Sequence, residues 1–169
     1  DRVILNRIIG WENNSMNFRV AKTSDFDTIH SIQKQVHQLH VNNRPDQYKK
    51  TESMLNKTLF EELLTSEEKE VFVVVDTIPI AYSIVTLQVT KESPIFVSKK
   101  ILHINDFGVN QIYRGKGVGR YLFNKILDHS KNVEADTLEL SVWEFNESAI
   151  KFYEEIGMNT KTRRMELIL

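Results

Sequence analysis

The stretch Gly108–Phe123, GVNQIYRGKGVGRYLF, sets glycines at 115, 117 and 119 among Arg114, Lys116 and Arg120, and an apolar helical pattern follows it. The residues before it, ILHINDFGV (Ile101–Val109), read as a strand. A loop from a strand end into a helix N-terminus presents backbone N–H groups that lack intrahelical partners, and the helix dipole adds positive charge there. Phosphate is the usual guest. Glycines alone would equally suit a tight turn, but Arg114, Lys116 and Arg120 bring cationic charge to a chain of formal net charge −1. That balance gives no global field for nucleic acid or an anionic membrane, so neither is expected as a partner and anion binding is local.

Spacing excludes two familiar phosphate loops. A nucleotide-hydrolysing loop needs Gly-Lys-Ser/Thr, and here Lys116 is followed by Gly117, with no hydroxyl for magnesium. A dinucleotide fingerprint needs G-x-G-x-x-G early in a parallel βαβ unit, whereas this G-x-G-x-G comes late.

Working outward, NFRVAK (Asn17–Lys22) alternates like a strand, and Thr23, Ser24 and Asp25 are helix-capping residues. Phe26, Ile29, Ile32, Val36 and Leu39 form one face of a helix ending before NNRPD; a second helix is expected over Glu52–Leu64, burying Met54, Leu55, Leu59, Leu63 and Leu64. VFVVVD (Val71–Asp76), a turn at Thr77–Pro79 and IAYSIVTLQVT (Ile80–Thr90) make a hairpin. Val118, Tyr121, Leu122 and Ile126 share a helix face after the glycine loop; TLELSVW (Thr137–Trp143) reads as a strand, NESAIKFYEEIG (Asn146–Gly157) as a capped helix and RRMELIL as a last strand. The order β-α-α-β-β-β-α-β-α-β predicts an α/β (α+β) fold, a mixed and mostly antiparallel sheet of six or seven strands flanked by about four helices.

A chain of 169 residues suits one domain with a real core, and no linker divides it. The absence of cysteine removes disulfides, thiolate metal sites and a cysteine nucleophile, and fits a reducing cytoplasm. Residues 1–15 precede Met16 and lack the apolar core of a signal peptide, so they read as a leader or appended arm before a single domain over residues 16–169.

The central stretch resembles the motif Arg/Gln-x-x-Gly-x-Gly/Ala of the GNAT superfamily of N-acetyltransferases, through Arg114, Gly117 and Gly119. NESAIKFYEEIGM resembles the second motif of that family through Asn146, Ala149, Tyr153 and Gly157, and the order of elements from about Met16 onward agrees. The fragment LHVNNRPDQY resembles a loop of small stand-alone bacterial members. This resemblance implies that the loop, Arg114, Gly115, Lys116, Gly117, Val118, Gly119 and Arg120, cradles the pyrophosphate of acetyl-CoA. It implies further that Phe107 and Val109 flank the pantetheine arm, with a bulge that Gly108 would suit, and that Asn146 bonds the arm. Lys151 and Phe152 flank the same side in relatives.

The chemistry implied is direct acetyl transfer to a primary amine in a ternary complex. An alkyl amine of pKa about 10.4 is almost wholly protonated at pH 7 and must lose a proton first. Val109 N–H matches the donor that polarises the thioester carbonyl, and Tyr153 the acid that protonates the leaving thiolate. Without the motif, Tyr153 would read as a core aromatic beside Ala149 and Ile156, and Asn146 as a plain helix cap. Asp106 is the one carboxylate beside His103 and Asn105 on the fourth strand and is the candidate base. His30, His37 and His40 show no fourth ligand at metal spacing and read as a solvated helix face, so no metal is expected. Acceptor choice falls by resemblance to HQLHVNNRPDQYKK, with Asp46 and Tyr48, and to the segment between the third and fourth strands. The acceptor is then a small-molecule or peptide amine, and the protein a monomer or homodimer. The rival from another class is a module on a degenerate acetyltransferase fold that senses acyl-CoA or serves as a partner interface.

Overall fold

The structure is a computed structural model that describes residues 15–52 and 54–169. The reading of residues 1–15 as a leader lies outside the described residues, apart from Ser15. Strand β1 (Asn17–Val20) leads through a 3-10 turn (Thr23–Asp25) into α1 (Phe26–Asn43), and α2 (Lys57–Leu64) follows. Then come β2 (Lys69–Val75), β3 (Pro79–Thr90), β4 (Lys99–Val109), a 3-10 turn (Gln111–Tyr113), α3 (Val118–Asn132), β5 (Thr137–Leu140) and α4 (Glu147–Glu155). The sheet runs β1-β2-β3-β4-β5, antiparallel except for the parallel pair β4/β5.

The run VFVV of β2 is apolar at every position because both faces of the sheet are covered. Val71 and Val73 join Tyr82 and Ile84 against Ile29 and Ile32 of α1 and Phe60 of α2. Phe72 and Val74 join Val85, Leu102 and Ile104 against Leu122, Phe123 and Ile126 of α3. The continuous run of β2 is therefore two alternating rows, one for each layer of helices.

The expected mixed sheet with flanking helices is what forms, with corrections at its margins. Among the described residues the sheet has five strands, not six or seven, and RRMELIL forms none: Met165, Leu167, Ile168 and Leu169 are exposed. Helix α1 runs on through Asn42 and Asn43, where Asn43 Nδ2 donates to Leu39 O, 2.8 Å, and the chain leaves the helix at Arg44 before Pro45. Helix α2 starts at Lys57 rather than Glu52, because Asn56 caps it by accepting from Leu59 N. Its buried anchor is Phe60, whereas Leu59 is exposed and Leu55 packs from the preceding loop. Strand β5 stops at Leu140, short of Trp143.

The bulge falls at Asn105, not at Gly108. Ile84 pairs with Asp106 and Val85 with Ile104, which leaves Asn105 unmatched. Unbulged alternation would put Asp106 on the same face as Leu102 and Ile104, within the α3 core. The extra residue turns it to the opposite face, toward α1. Gly108 pairs in register with Tyr82. A Cβ there would lie 2.5 Å from Tyr82 Cε1 and 3.0 Å from Ile32 Cγ2, so glycine at 108 makes room for the tyrosine ring.

Candidate active site

Pairing of β4 with β5 ends at Ile104 and Leu140, yet β4 stays paired with β3 as far as Val109. Along Asp106–Val109 the β5 side of β4 therefore has no strand paired to it, which leaves a gap between the two strands. Asn110 N donates to Ile80 O of β3, 2.9 Å, so by strand alternation the N–H of Val109 turns the other way, into the gap.

The glycine loop stands at the end of β4. Gly117 is the N-cap of α3 and, like Gly115, has positive φ (+83° and +73°), a conformation that glycine adopts without strain. Nothing lies within 4 Å of a Cβ built at either position, so the loop faces open space where an anion would sit. The N–H groups of Val118, Gly119 and Arg120 belong to the first turn of α3, where a helix has no internal acceptors. Arg114 braces the loop: its N donates to Gln111 O, 3.3 Å, and its Nε to Val109 O, 3.0 Å. Lys116 sets its ammonium over the Tyr113 ring, 5.6 Å from the centroid. A Cβ at Gly119 would make ordinary contacts of 3.6 Å with Val109 and Phe152, so that glycine is not demanded by space.

Across the gap, Tyr153 of α4 is half-buried, its ring edge-on to Phe107 at 6.3 Å and to Phe152 at 5.3 Å. Burial, and then the negative charge of Asp106, push its hydroxyl up to about 12, so it carries its proton throughout the neutral range. Asn146 caps α4, accepting from Ala149 N at 3.3 Å. The cap reading thus holds for it.

On the α1 side Asp106 is the centre of a bonded unit. Tyr82 Oη donates to Asp106 Oδ2 at 2.6 Å, Gln33 Nε2 donates to the same oxygen at 3.2 Å, and Phe107 N donates to Oδ1 at 3.0 Å. Tyr82 is fully buried; desolvation first, then the charge of Asp106 and the bond to it, hold its hydroxyl far above the ordinary tyrosine range. It is a fixed donor to the carboxylate. These groups floor a cleft of about 490 Å³ whose walls include His37, His40, Tyr48 and Lys49, a volume suited to a small ligand.

The outer wall is aromatic. Trp143 Nε1 donates to Tyr48 Oη, 2.8 Å, Tyr48 packs on His40, and Arg44 lies over the Trp143 ring at 4.7 Å. This joins the α1–α2 loop to the segment after β5. The histidines are not a solvated helix face. His37 Nε2 is 2.8 Å from Lys49 O and His40 Nδ1 is 2.9 Å from Val36 O, and because a carbonyl only accepts, each of those nitrogens carries the hydrogen. His30 stacks on Phe26. Among the described residues no group of three or more His, Cys, Asp or Glu side chains is placed to hold a metal ion. Asp46 does not enter the cleft wall: Arg44 clasps it, 2.7 Å, and draws its carboxyl down to about 2. The segment between β3 and β4 leaves Ile95, Phe96 and Val97 exposed.

Tyr82 and Gln33 escaped the sequence reading. Gln33 carried a faint signal, falling four residues after Ile29 and three before Val36 on the apolar stripe of α1. Tyr82 reads as an ordinary strand aromatic, and its bond to Asp106 depends on the bulge.

No described helix is long and apolar enough to cross a membrane. Residues 34–158 match the model of the acetyltransferase (GNAT) family. The chain is similar to a mutant of the BH1408 protein of Bacillus halodurans, 34% identical with a TM-score of 0.88, covering 90% of this chain and 99% of that one. A segment of 63 residues is 32% identical to an uncharacterized N-acetyltransferase of Methanocaldococcus jannaschii, and spans 37% of this chain but only 28% of that protein. AAC(6')-Iy, in complex with a CoA-based bisubstrate analogue, shares the fold at 13% identity and a TM-score of 0.68, over 91% of this chain and 97% of that one. The match over residues 34–158, with a glycine loop at the head of α3 and a sheet that parts beside it, makes this chain a member of the GNAT family of acetyltransferases.

Proposed function

We propose that the protein is an acetyl-CoA-dependent N-acetyltransferase that moves an acetyl group directly to a primary amine in a ternary complex. The observation that carries this is the β4–β5 gap, where pairing ends at Ile104 and Tyr153 stands near enough to Asp106 to feel its charge. Acetyl-CoA supplies the activated acyl group as a thioester. The loop N–H groups of residues 115–120, with Lys116 and Arg120, are suited to its pyrophosphate; Arg114 contributes by holding the loop to the strand end.

Val109 N–H, turned into the gap, polarises the thioester carbonyl. Asp106 takes a proton from the incoming ammonium, directly or through water, and the free amine attacks the carbonyl carbon. The C–N bond forms, the nitrogen releases its second proton to water, and the C–S bond breaks. Tyr153 gives its proton to the departing sulfur and recovers one from solvent. Burial raises the Tyr153 hydroxyl, but it also disfavours a bare thiolate in the same place, so both groups shift in the same direction. Asn146 Oδ1 serves as helix cap, and its amide N–H groups would donate to the arm of the donor.

Incubating the protein with acetyl-CoA and a panel of amines while following thiol release tests this reading. Amine-dependent thiol release with matching N-acetyl product is expected. Tight binding of acetyl-CoA with no release for any amine would favour the sensor.

A further inference from the structure

The donor side leaves open which amine the α1-side cleft receives, and the unit around Asp106 bears on that. An ionised carboxylate has about four lone-pair positions. Three are taken, by Tyr82 Oη, Gln33 Nε2 and Phe107 N. Gln33, having turned its nitrogen to Asp106, leaves Oε1 buried with no hydrogen-bond partner among the described residues. A buried acceptor of that kind costs free energy unless a donor arrives. An alkylammonium offers three N–H donors, which fits one remaining carboxylate position and the two lone pairs of the amide oxygen.

The rest of the lining sets the charge of the acceptor. Asp106 is the only carboxylate among the described lining residues, and Lys49 is the opposing charge. His37 and His40 add nitrogen groups without negative charge. Carboxylates on the surrounding elements are already held, Asp46 by Arg44 and Glu52 by Lys34. A polycation would meet one carboxylate and then Lys49. A molecule with one ammonium and one anionic group meets an opposite charge at each end.

We infer that the acceptor is a small amine of single positive charge with an anionic group at its far end, an amino-acid-like molecule rather than a polyamine or aminoglycoside. Its ammonium sits against Asp106 and Gln33 Oε1, and its anion is turned toward Lys49. Tyr82 acts as a positioning residue that fixes the carboxylate. This rests on the reading of the protein as an N-acetyltransferase and of this cleft as its acceptor side.

The test compares ω-amino acids of increasing chain length with diamines of the same length and with kanamycin, following thiol release from acetyl-CoA. At the best length, kcat/KM for the amino acid is expected to exceed that of the matched diamine by at least about tenfold. Lys49→Glu, a change at an exposed residue, should shift that ratio toward the diamine by a similar factor. Gln33→Leu should raise KM for the amino acid about tenfold with kcat within about twofold and unchanged affinity for CoA. A wild-type preference for the diamine or kanamycin, or a ratio that Lys49→Glu leaves in place, would overturn the inference while leaving the acetyltransferase reading intact. No thiol release with any amine overturns that reading, and the inference falls with it.

Discussion

On the α3 side of the β4–β5 gap the recognising groups are mostly backbone: N–H groups of a loop whose glycines, at 115 and 117, hold positive φ beside open space. On the α1 side they are side chains, with Asp106 held by Tyr82 and Gln33 and walled by Tyr48 and the histidines. In the proposed function the backbone groups would recognise what acetyl donors have in common, a pyrophosphate, and they survive most changes of side chain. A side-chain network responds to single substitutions, so in the proposed function acceptor choice would be the readily altered half of this site. The bulge at Asn105 links the halves, since it turns Asp106 from one face of the sheet to the other.

If the two sides are separable, substitutions on each should move different kinetic constants. Asp106→Asn, which keeps the shape and removes the base, is expected to lower kcat/KM by about 10²–10⁴, measured by thiol release, with unchanged affinity for CoA. An effect on CoA affinity of the same size would join the two sides. Gly108→Ala forces a Cβ against the Tyr82 ring and Ile32, and should cost about 1–3 kcal/mol of stability in urea unfolding while raising acceptor KM through displaced Tyr82. Gly117→Ala meets no steric neighbour but strains a positive φ, at about 1–2 kcal/mol. It should weaken CoA binding, read by calorimetry, and leave acceptor KM unchanged. Gly119→Ala, with ordinary contacts at 3.6 Å, should change stability little; a loss of CoA affinity there would show that the donor itself needs the space. The pH profile gives the smallest effect. Because Tyr153 keeps its proton until about pH 12, kcat should show no alkaline fall from this group below about pH 10. Tyr153→Phe should not alter the shape of the profile over that range.

The two sides also differed in how far they could be read from sequence. Gly115, Gly117, Asn146 and Tyr153 act through local conformation or motif spacing, and both leave a trace along the chain. Gln33 lies 73 residues from Asp106, and Tyr82 lies 24 from it. Their meeting depends on a bulge that strand periodicity does not announce, so Asp106 could be singled out but its bonding partners could not. The aromatic wall has the same origin, since Tyr48 and Trp143 are 95 residues apart. Margins failed for another reason. RRMELIL alternates as a strand should, but alternation fixes only which side chains share a face and does not decide whether the backbone pairs; here the segment forms no strand and its apolar side chains stay exposed. Phe60 was missed because Leu55 and Leu59 seemed to define the buried face of α2, whereas the Asn56 cap starts the helix later.

The proposed transfer depends most on Tyr153 and Asp106 acting from opposite sides of one gap. The direct measurement is single-turnover thiol release by Tyr153→Phe with saturating acetyl-CoA and amine, beside calorimetric affinity for CoA. A fall in the transfer rate of about a hundredfold or more, with affinity for CoA unchanged, is the predicted result. Wild-type transfer by the variant across the pH range would contradict it.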